Sequence, residues 1–369
     1  MSNVEDKSEG MFSSEAVVLR GDGEPLSSYD YIKRLNDIAD HSFIPKDDYS
    51  VGGSVGELEA SMATILGKES AVFMPTGTLA NHIAVRNLCH GASRLIVQEQ
   101  GHLYRDSGDT VQQLSGINLL PLGVGNPCFT YTEVEQAIKD SLGGRVPMEI
   151  GGLVIESPVR RCHGQIIPFG EMQRITRLCK ENSIGTHLDG ARLFMMSAAT
   201  GIALSDYSNL FDTVYVSMWK YFGSPFGAIL AGSNEFCENL FHQRRMFGGG
   251  LPSASLAAAL ALEGSKSFQN DFNDAMNKGI ELLTRLNDNP EVQWELHENL
   301  SNIFPVILSK RIDVMCLSDA LNKRGIFIDN QVDDMNRIYI TVNVTLLRKP
   351  VEDILRGFTE ALKESEVTT

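Results

Sequence analysis

The chain has 369 residues, 43% of them hydrophobic and 21% charged, with a formal net charge of −15. A core of that size supports one large and one small domain, and the composition is that of a globular rather than a disordered chain. The acidic excess argues against nucleic acid and anionic membrane as partners, because both select a basic face.

In chain order, residues 1–40 are too few to fold alone and are expected to form an arm, packed on the small domain or on a partner subunit. Leu58, Met62, Ile65 and Leu66 fall on one helical face that Gly67 stops. A short strand is expected at 71–74 and a helix from Thr78, then strands at 95–98, 117–120, 153–156, 185–188, 213–217 and 228–231. Helices near 132–142, 169–181 and 192–199 separate some of them. Short apolar strands alternating with helices predict an α/β fold whose mostly parallel sheet is covered on both faces. This large domain is placed at 41–265. From about 265 the pattern becomes one long polar helix, strands at 303–308, 326–328 and 337–342, and helices at 314–324 and 351–363, a small α+β domain at 266–369.

Cys89, Cys128, Cys162, Cys179, Cys237 and Cys316 are scattered, without C-x-x-C or zinc-finger spacing to histidines. They suggest neither a disulfide framework nor a metal site, and a cytoplasmic location is expected. The N-terminal MSNVEDKSEG lacks the basic and apolar regions of a signal peptide, and the most apolar stretch, 256–262, is too short to span a bilayer.

Two apolar runs end on chemistry-bearing residues: His187-Leu188-Asp189-Gly190-Ala191-Arg192, and Val214-Tyr215-Val216-Ser217-Met218-Trp219-Lys220. Singly, a strand-end lysine snorkels to solvent and an Asp before Gly forms a turn. Paired at the exits of neighbouring strands, where α/β sheets place ligands, they suit pyridoxal phosphate. Only a primary amine condenses with that cofactor's aldehyde, and a carboxylate keeps its ring nitrogen protonated. An apolar pocket beside a cationic ring would lower the Lys220 amine from its reference of about 10.4 and ready it for attack. Pro75-Thr76-Gly77-Thr78 opens a helix just after a strand. Its free N–H groups can be capped by Thr76 or Thr78, or can bind an anion.

These words, with Leu19-Arg20-Gly21-Asp22, His102-Leu103-Tyr104, Leu114-Ser115-Gly116, Gly223-Ser224-Pro225-Phe226-Gly227, Met246-Phe247-Gly248-Gly249-Gly250 and Arg337 ahead of Thr341-Val342-Asn343-Val344, run in one order. The chain resembles the threonine aldolase and β-eliminating lyase family of fold-type I pyridoxal phosphate enzymes over essentially its whole length. The resemblance implies that Gly77 and Thr78 hold the cofactor phosphate and that His102 lies against the ring and relays protons. It places Asp189 at the ring nitrogen, Arg192 near the phenolic oxygen and Lys220 as the catalytic amine. Arg337 would clamp the substrate carboxylate, a task suited to a planar two-pronged donor, and Tyr49 would stand near the substrate. Ser217 is left as either a phosphate contact or a buried strand serine.

The pattern also breaks. The family's Glu-Asn-Thr-His reads Glu156-Ser157-Pro158-Val159, so the histidine that would deprotonate a β-hydroxyl is missing. The arginine expected after the triple glycine is Pro252, with Arg245 as a substitute, the pair after His102 is Asp106-Ser107, and an N-terminal serine is Gly21. Arg160, Arg161 and His163 crowd the altered loop, either as solvated charges or as a pocket for an extra anionic group. The expected activity is cleavage of a threonine-like or allo-threonine-like β-hydroxy-L-amino acid to glycine and an aldehyde. β-Elimination or another Cα-centred reaction on a different amino acid is the alternative, as is a fold that binds cofactor without catalysis. The resemblance further implies a homodimer or homotetramer.

Overall fold

The computed structural model describes residues 10–294 and 296–367, so residues 1–9 of the expected arm lie outside the described residues. The chain divides into two compact units, Lys33–Ser265 and Met1–Ile32 with Lys266–Thr369.

In the larger unit, α1 (Gly53–Leu66) buries Leu58, Met62 and Leu66. It stops at Gly67, whose left-handed φ of 65° turns its N–H back to the carbonyls of Ala63 and Thr64. Then follow β1 (Ser70–Met74), α2 (Gly77–Leu88), β2 (Arg94–Gln98), α3 (His102–Arg105), β3 (Asn118–Leu122) and α4 (Tyr131–Gly143). Next come β4 (Ile150–Glu156), α5 (Phe169–Glu181), β5 (Gly185–Asp189), α6 (Leu193–Thr200), β6 (Thr213–Ser217), β7 (Ala228–Gly232) and α7 (Leu240–Met246). Thr130 and Glu133 close a reciprocal cap at the start of α4, satisfying donors the first turn leaves open.

Among the described residues these strands form one seven-stranded sheet in the order β1-β7-β6-β5-β4-β2-β3. The pairs β2–β3, β2–β4, β4–β5 and β5–β6 are parallel, as the alternation of strands and helices implies. β7 is the exception, antiparallel to both β1 and β6. The connection from 218 to 227 is too short for a crossover helix, so the chain must turn back. Its ends are tied by the Met218 N–H to the Gly227 carbonyl at 3.0 Å. Every residue of β6 and β7 is buried, the mark of strands covered on both faces.

A long helix, α8 (Ser255–Leu286), begins well before the position expected for it. Its first turns are the alanine- and leucine-rich 256–262, strong helix formers whose apolar character hid the polar pattern that follows. In the smaller unit, β8 (Val292–Gln293), β9 (Ile303–Leu308), α9 (Val314–Asn322), β10 (Arg337–Thr341) and α10 (Val351–Glu364) build an antiparallel sheet of order β10-β9-β8 with helices. Val17–Val18 adds a short parallel pairing to Ile326–Phe327. All six cysteines are free, and no helix among the described residues is long and apolar enough to cross a membrane.

Candidate active site

Five polar positions of the larger unit stand at or just after the C-terminal ends of strands that point the same way, where the ladder ends and side chains can converge. After β1, Thr76 caps α2, its Oγ1 accepting the Leu79 N–H at 3.2 Å. That leaves the N–H groups of Gly77 and Thr78 at the positive helix end, so the cap does not use up the donors an anion would need. Glycine is required at 77 because an added Cβ would stand 2.0 Å from the Tyr215 hydroxyl of β6.

After β2, His102 opens α3; Glu156 and Asp189 are the last residues of β4 and β5, register partners on adjacent strands. Lys220 lies in the turn after β6, half-buried, its Nζ 5.8 Å from the centroid of the Trp219 ring. Thr76, Gly77, Thr78, His102, Glu156, Asp189, Ala191, Arg192, Tyr215, Trp219 and Lys220 line one cavity of about 250 Å³. Of the sequence-derived residues, Gly77, Thr78, His102, Asp189, Arg192 and Lys220 thus meet. A larger cleft of about 800 Å³ opens at the opposite ends of β5 and β6, around Thr186, Asp212 and Thr213. It contains none of those residues, and its size alone carries no chemistry.

A buried chain of hydrogen bonds orients Asp189, which is 2% exposed. Asn81 Nδ2 donates to its Oδ2 at 2.6 Å and the Ala191 N–H to its Oδ1 at 3.2 Å. Asn81 Oδ1 must then accept, so His187 donates from Nε2 at 2.9 Å and its Nδ1 accepts the Thr213 hydroxyl at 2.8 Å. Burial depresses His187 to about 4, so this imidazole is neutral at neutral pH. None of Asn81, His187 and Thr213 was singled out from sequence; the available signal was a polar residue inside an otherwise apolar helix or strand face.

The remaining residues stand apart from the cavity lining. Ser217 is buried on the same strand face as Tyr215, and its Oγ has no hydrogen-bond partner among the described residues. Tyr49 is 45% exposed, with the Arg245 guanidinium 4.7 Å from its ring centroid. Its loop is anchored by buried Arg244, which donates to the carbonyls of Phe73 at 2.6 Å and Ser50 at 2.9 Å. Arg337 belongs to the smaller unit, where its Nε donates to Asp333 at 2.6 Å. Val159 is fully buried, so that position offers no proton-handling group. Arg160 and Arg161 are exposed and both lean on Asp106, at 3.9 and 3.1 Å.

The donor set fits pyridoxal phosphate: a primary amine, a buried oriented carboxylate, an imidazole, an arginine and two backbone N–H groups at a helix start, around one small cavity. The beta-eliminating lyase family model matches residues 42–311. The low-specificity L-threonine aldolase of Candida albicans is 32% identical over 212 residues, 56% of this chain and 55% of that one, so the chain spans about half the length of that relative. The low-specificity L-threonine aldolase of Saccharomyces cerevisiae is 27% identical over 321 residues, 80% of this chain and 79% of that one. A solved structure, a candidate L-allo-threonine aldolase of Listeria monocytogenes EGD-E, superposes with a TM-score of 0.80 at 26% identity, covering 96% of this chain and 100% of its own. Convergent side chains, shared architecture and a family match over most of the sequence agree, and the chain belongs to the beta-eliminating lyase family of pyridoxal phosphate enzymes.

Proposed function

We propose that the protein is a carbon–carbon lyase that cleaves a β-hydroxy-L-amino acid, threonine or allo-threonine in type, to glycine and an aldehyde. The observation that carries this reading is the meeting of Lys220, Asp189 and His102 in one cavity. When bound, pyridoxal phosphate supplies an electron-withdrawing ring that accepts the pair released at Cα. Gly77 and Thr78 would hold the phosphate through their N–H groups, Asp189 would support the ring nitrogen, and Arg192 would serve the phenolic oxygen. Ser217 is a further candidate phosphate contact. Lys220 would hold the cofactor through its amine and would carry a proton to or from the substrate Cα.

His102 is the proposed acceptor of the β-hydroxyl proton, and Ser107 prepares it. The Ser107 hydroxyl donates its single hydrogen to the His102 carbonyl at 3.1 Å and stands 3.4 Å from Nδ1. Its oxygen then accepts from Nδ1–H, which leaves the lone pair of the neutral ring on Nε2. Arg337 is proposed to orient the substrate carboxylate, with Asp333 gripping its Nε, and Tyr49 to stand near the substrate. Purified protein loaded with pyridoxal phosphate should release aldehyde from at least one of L-threonine, L-allo-threonine and phenylserine. Silence on all three would remove the aldolase reading.

One observation favours a second reaction class. With Val159 buried in place of a base, a reaction that needs no β-hydroxyl deprotonation is β-elimination, and ammonia with a keto acid from a serine- or cysteine-type substrate would identify it. We also propose a homo-oligomer. The helix Ser28–His41 buries none of its residues, and Phe43 and Trp219 are 85% and 51% exposed, surfaces that a second copy would cover. Sedimentation of the full chain should give a dimer or tetramer; a monomer at micromolar concentration would contradict it.

A further inference from the structure

Glu156 ends β4 beside Asp189, is 3% exposed and lines the same cavity, yet the reaction outlined above gives it nothing to do. Both of its carboxylate oxygens are taken by backbone donors. Oε2 accepts the His102 N–H at 2.7 Å and Oε1 accepts the Arg160 N–H at 3.0 Å. Gln98 secures the Glu156 backbone from β2, accepting its N–H at 2.5 Å and donating to its carbonyl at 3.1 Å. α3 has only four residues and no side-chain cap from Gly101, so its first N–H groups need partners from outside the helix. The Glu156 carboxylate ties that turn to the sheet.

We propose that Glu156 is the positioning residue for His102, and that cofactor capture depends on pH through this carboxyl because its ionised form is the one that grips both N–H groups. This rests on the cofactor site proposed above. An ionised carboxylate accepts on both oxygens, whereas a protonated one turns one oxygen into a donor and loosens one of its two partners. The groups facing it are Asp189 on β5, Arg192 ahead of α6, His102 on α3, Gln98 on β2 and Cys162 in the turn Arg160–Cys162. Burial, then the charge of Asp189, push Glu156 up to about 7, against the two N–H bonds and Arg192, which pull it down. The carboxyl is thereby lifted from the usual carboxylate range towards neutral pH. A cationic ring beside Asp189 would favour the ionised form. Affinity should fall as pH drops through the raised pKa of this carboxyl and level off above it.

The test is pyridoxal phosphate binding to the cofactor-free full chain between pH 6 and 8.5, read by quenching of Trp219 fluorescence, for wild type and Glu156→Gln. Glutamine accepts one N–H and presents a donor to the other, so we expect affinity about tenfold weaker at pH 8 or more. The fall below pH 7 should also be shallower than in wild type. Parallel curves of equal affinity would overturn the proposal. Should Glu156→Gln not fold, Glu156→Asp decides, since it keeps the charge but is one methylene too short to reach both N–H groups. Weaker capture at pH 8 supports the proposal, and wild-type affinity overturns it. Parallel curves with Lys220 still carrying the cofactor would sink this inference alone, whereas cofactor bound elsewhere would sink the site itself.

Discussion

Replacing Lys220 with alanine should lower aldehyde release by at least about 10³-fold, because in the proposed reaction one amine would serve both as the covalent attachment point and as the proton carrier at Cα. The side chain emerges from the turn after β6, half-buried in the wall of the cavity, where among the described residues no second lysine lines the space to take over. The fold should survive, since Lys220 sits outside the ladder of β6 and β7. The check is a coupled aldehyde assay on the cofactor-loaded variant alongside its circular dichroism. A folded Lys220→Ala protein working at the wild-type rate would take this amine out of the reaction.

Asp189→Asn should be nearly as damaging, by about 10²- to 10³-fold in kcat, which corresponds to about 3–4 kcal/mol of barrier. The substitution preserves volume but puts a donor where only acceptors now stand. The single oxygen of the new amide can serve Asn81 Nδ2 or the Ala191 N–H but not both, so one buried donor loses its acceptor; were Asn81 to flip, His187 would meet a donor where it now meets Asn81 Oδ1. His187 is held down near 4 by burial, so it cannot accommodate the change by becoming charged at neutral pH. Turnover and the visible spectrum of the bound cofactor should both change, while KM for the amino acid should move less, because the role proposed for this carboxylate is at the ring rather than at the substrate. An unchanged spectrum would contradict the role given to Asp189.

Much of this was legible in the sequence for a simple reason. A parallel sheet exposes its functional groups at strand exits, so an apolar run ending in a carboxylate or an amine marks its own site. Asp189 and Lys220 have that form, and Gly77 and Thr78 follow β1 in the same way. Interior residues were less legible because their partners are distant in sequence. Asn81 reads as an ordinary residue of α2 until its amide is seen 2.6 Å from Asp189. Tyr215 reads as packing within an apolar strand until its hydroxyl is found against Gly77. Glu156 looked like the intact first letter of an altered word, and only the register of β4 against β5 brings it beside Asp189. The reversed direction of β7 was hidden for a different cause: a fully buried strand has the same apolar pattern in either direction, and only the short connection from 218 to 227 encodes the turn.

The most direct measurement is to reduce the cofactor-loaded protein with borohydride, digest it and map the pyridoxyl group by mass spectrometry. The account predicts a single modified peptide with the label on Lys220, lost in Lys220→Ala. A label on any other lysine, or no label on a protein that binds the cofactor, would contradict it.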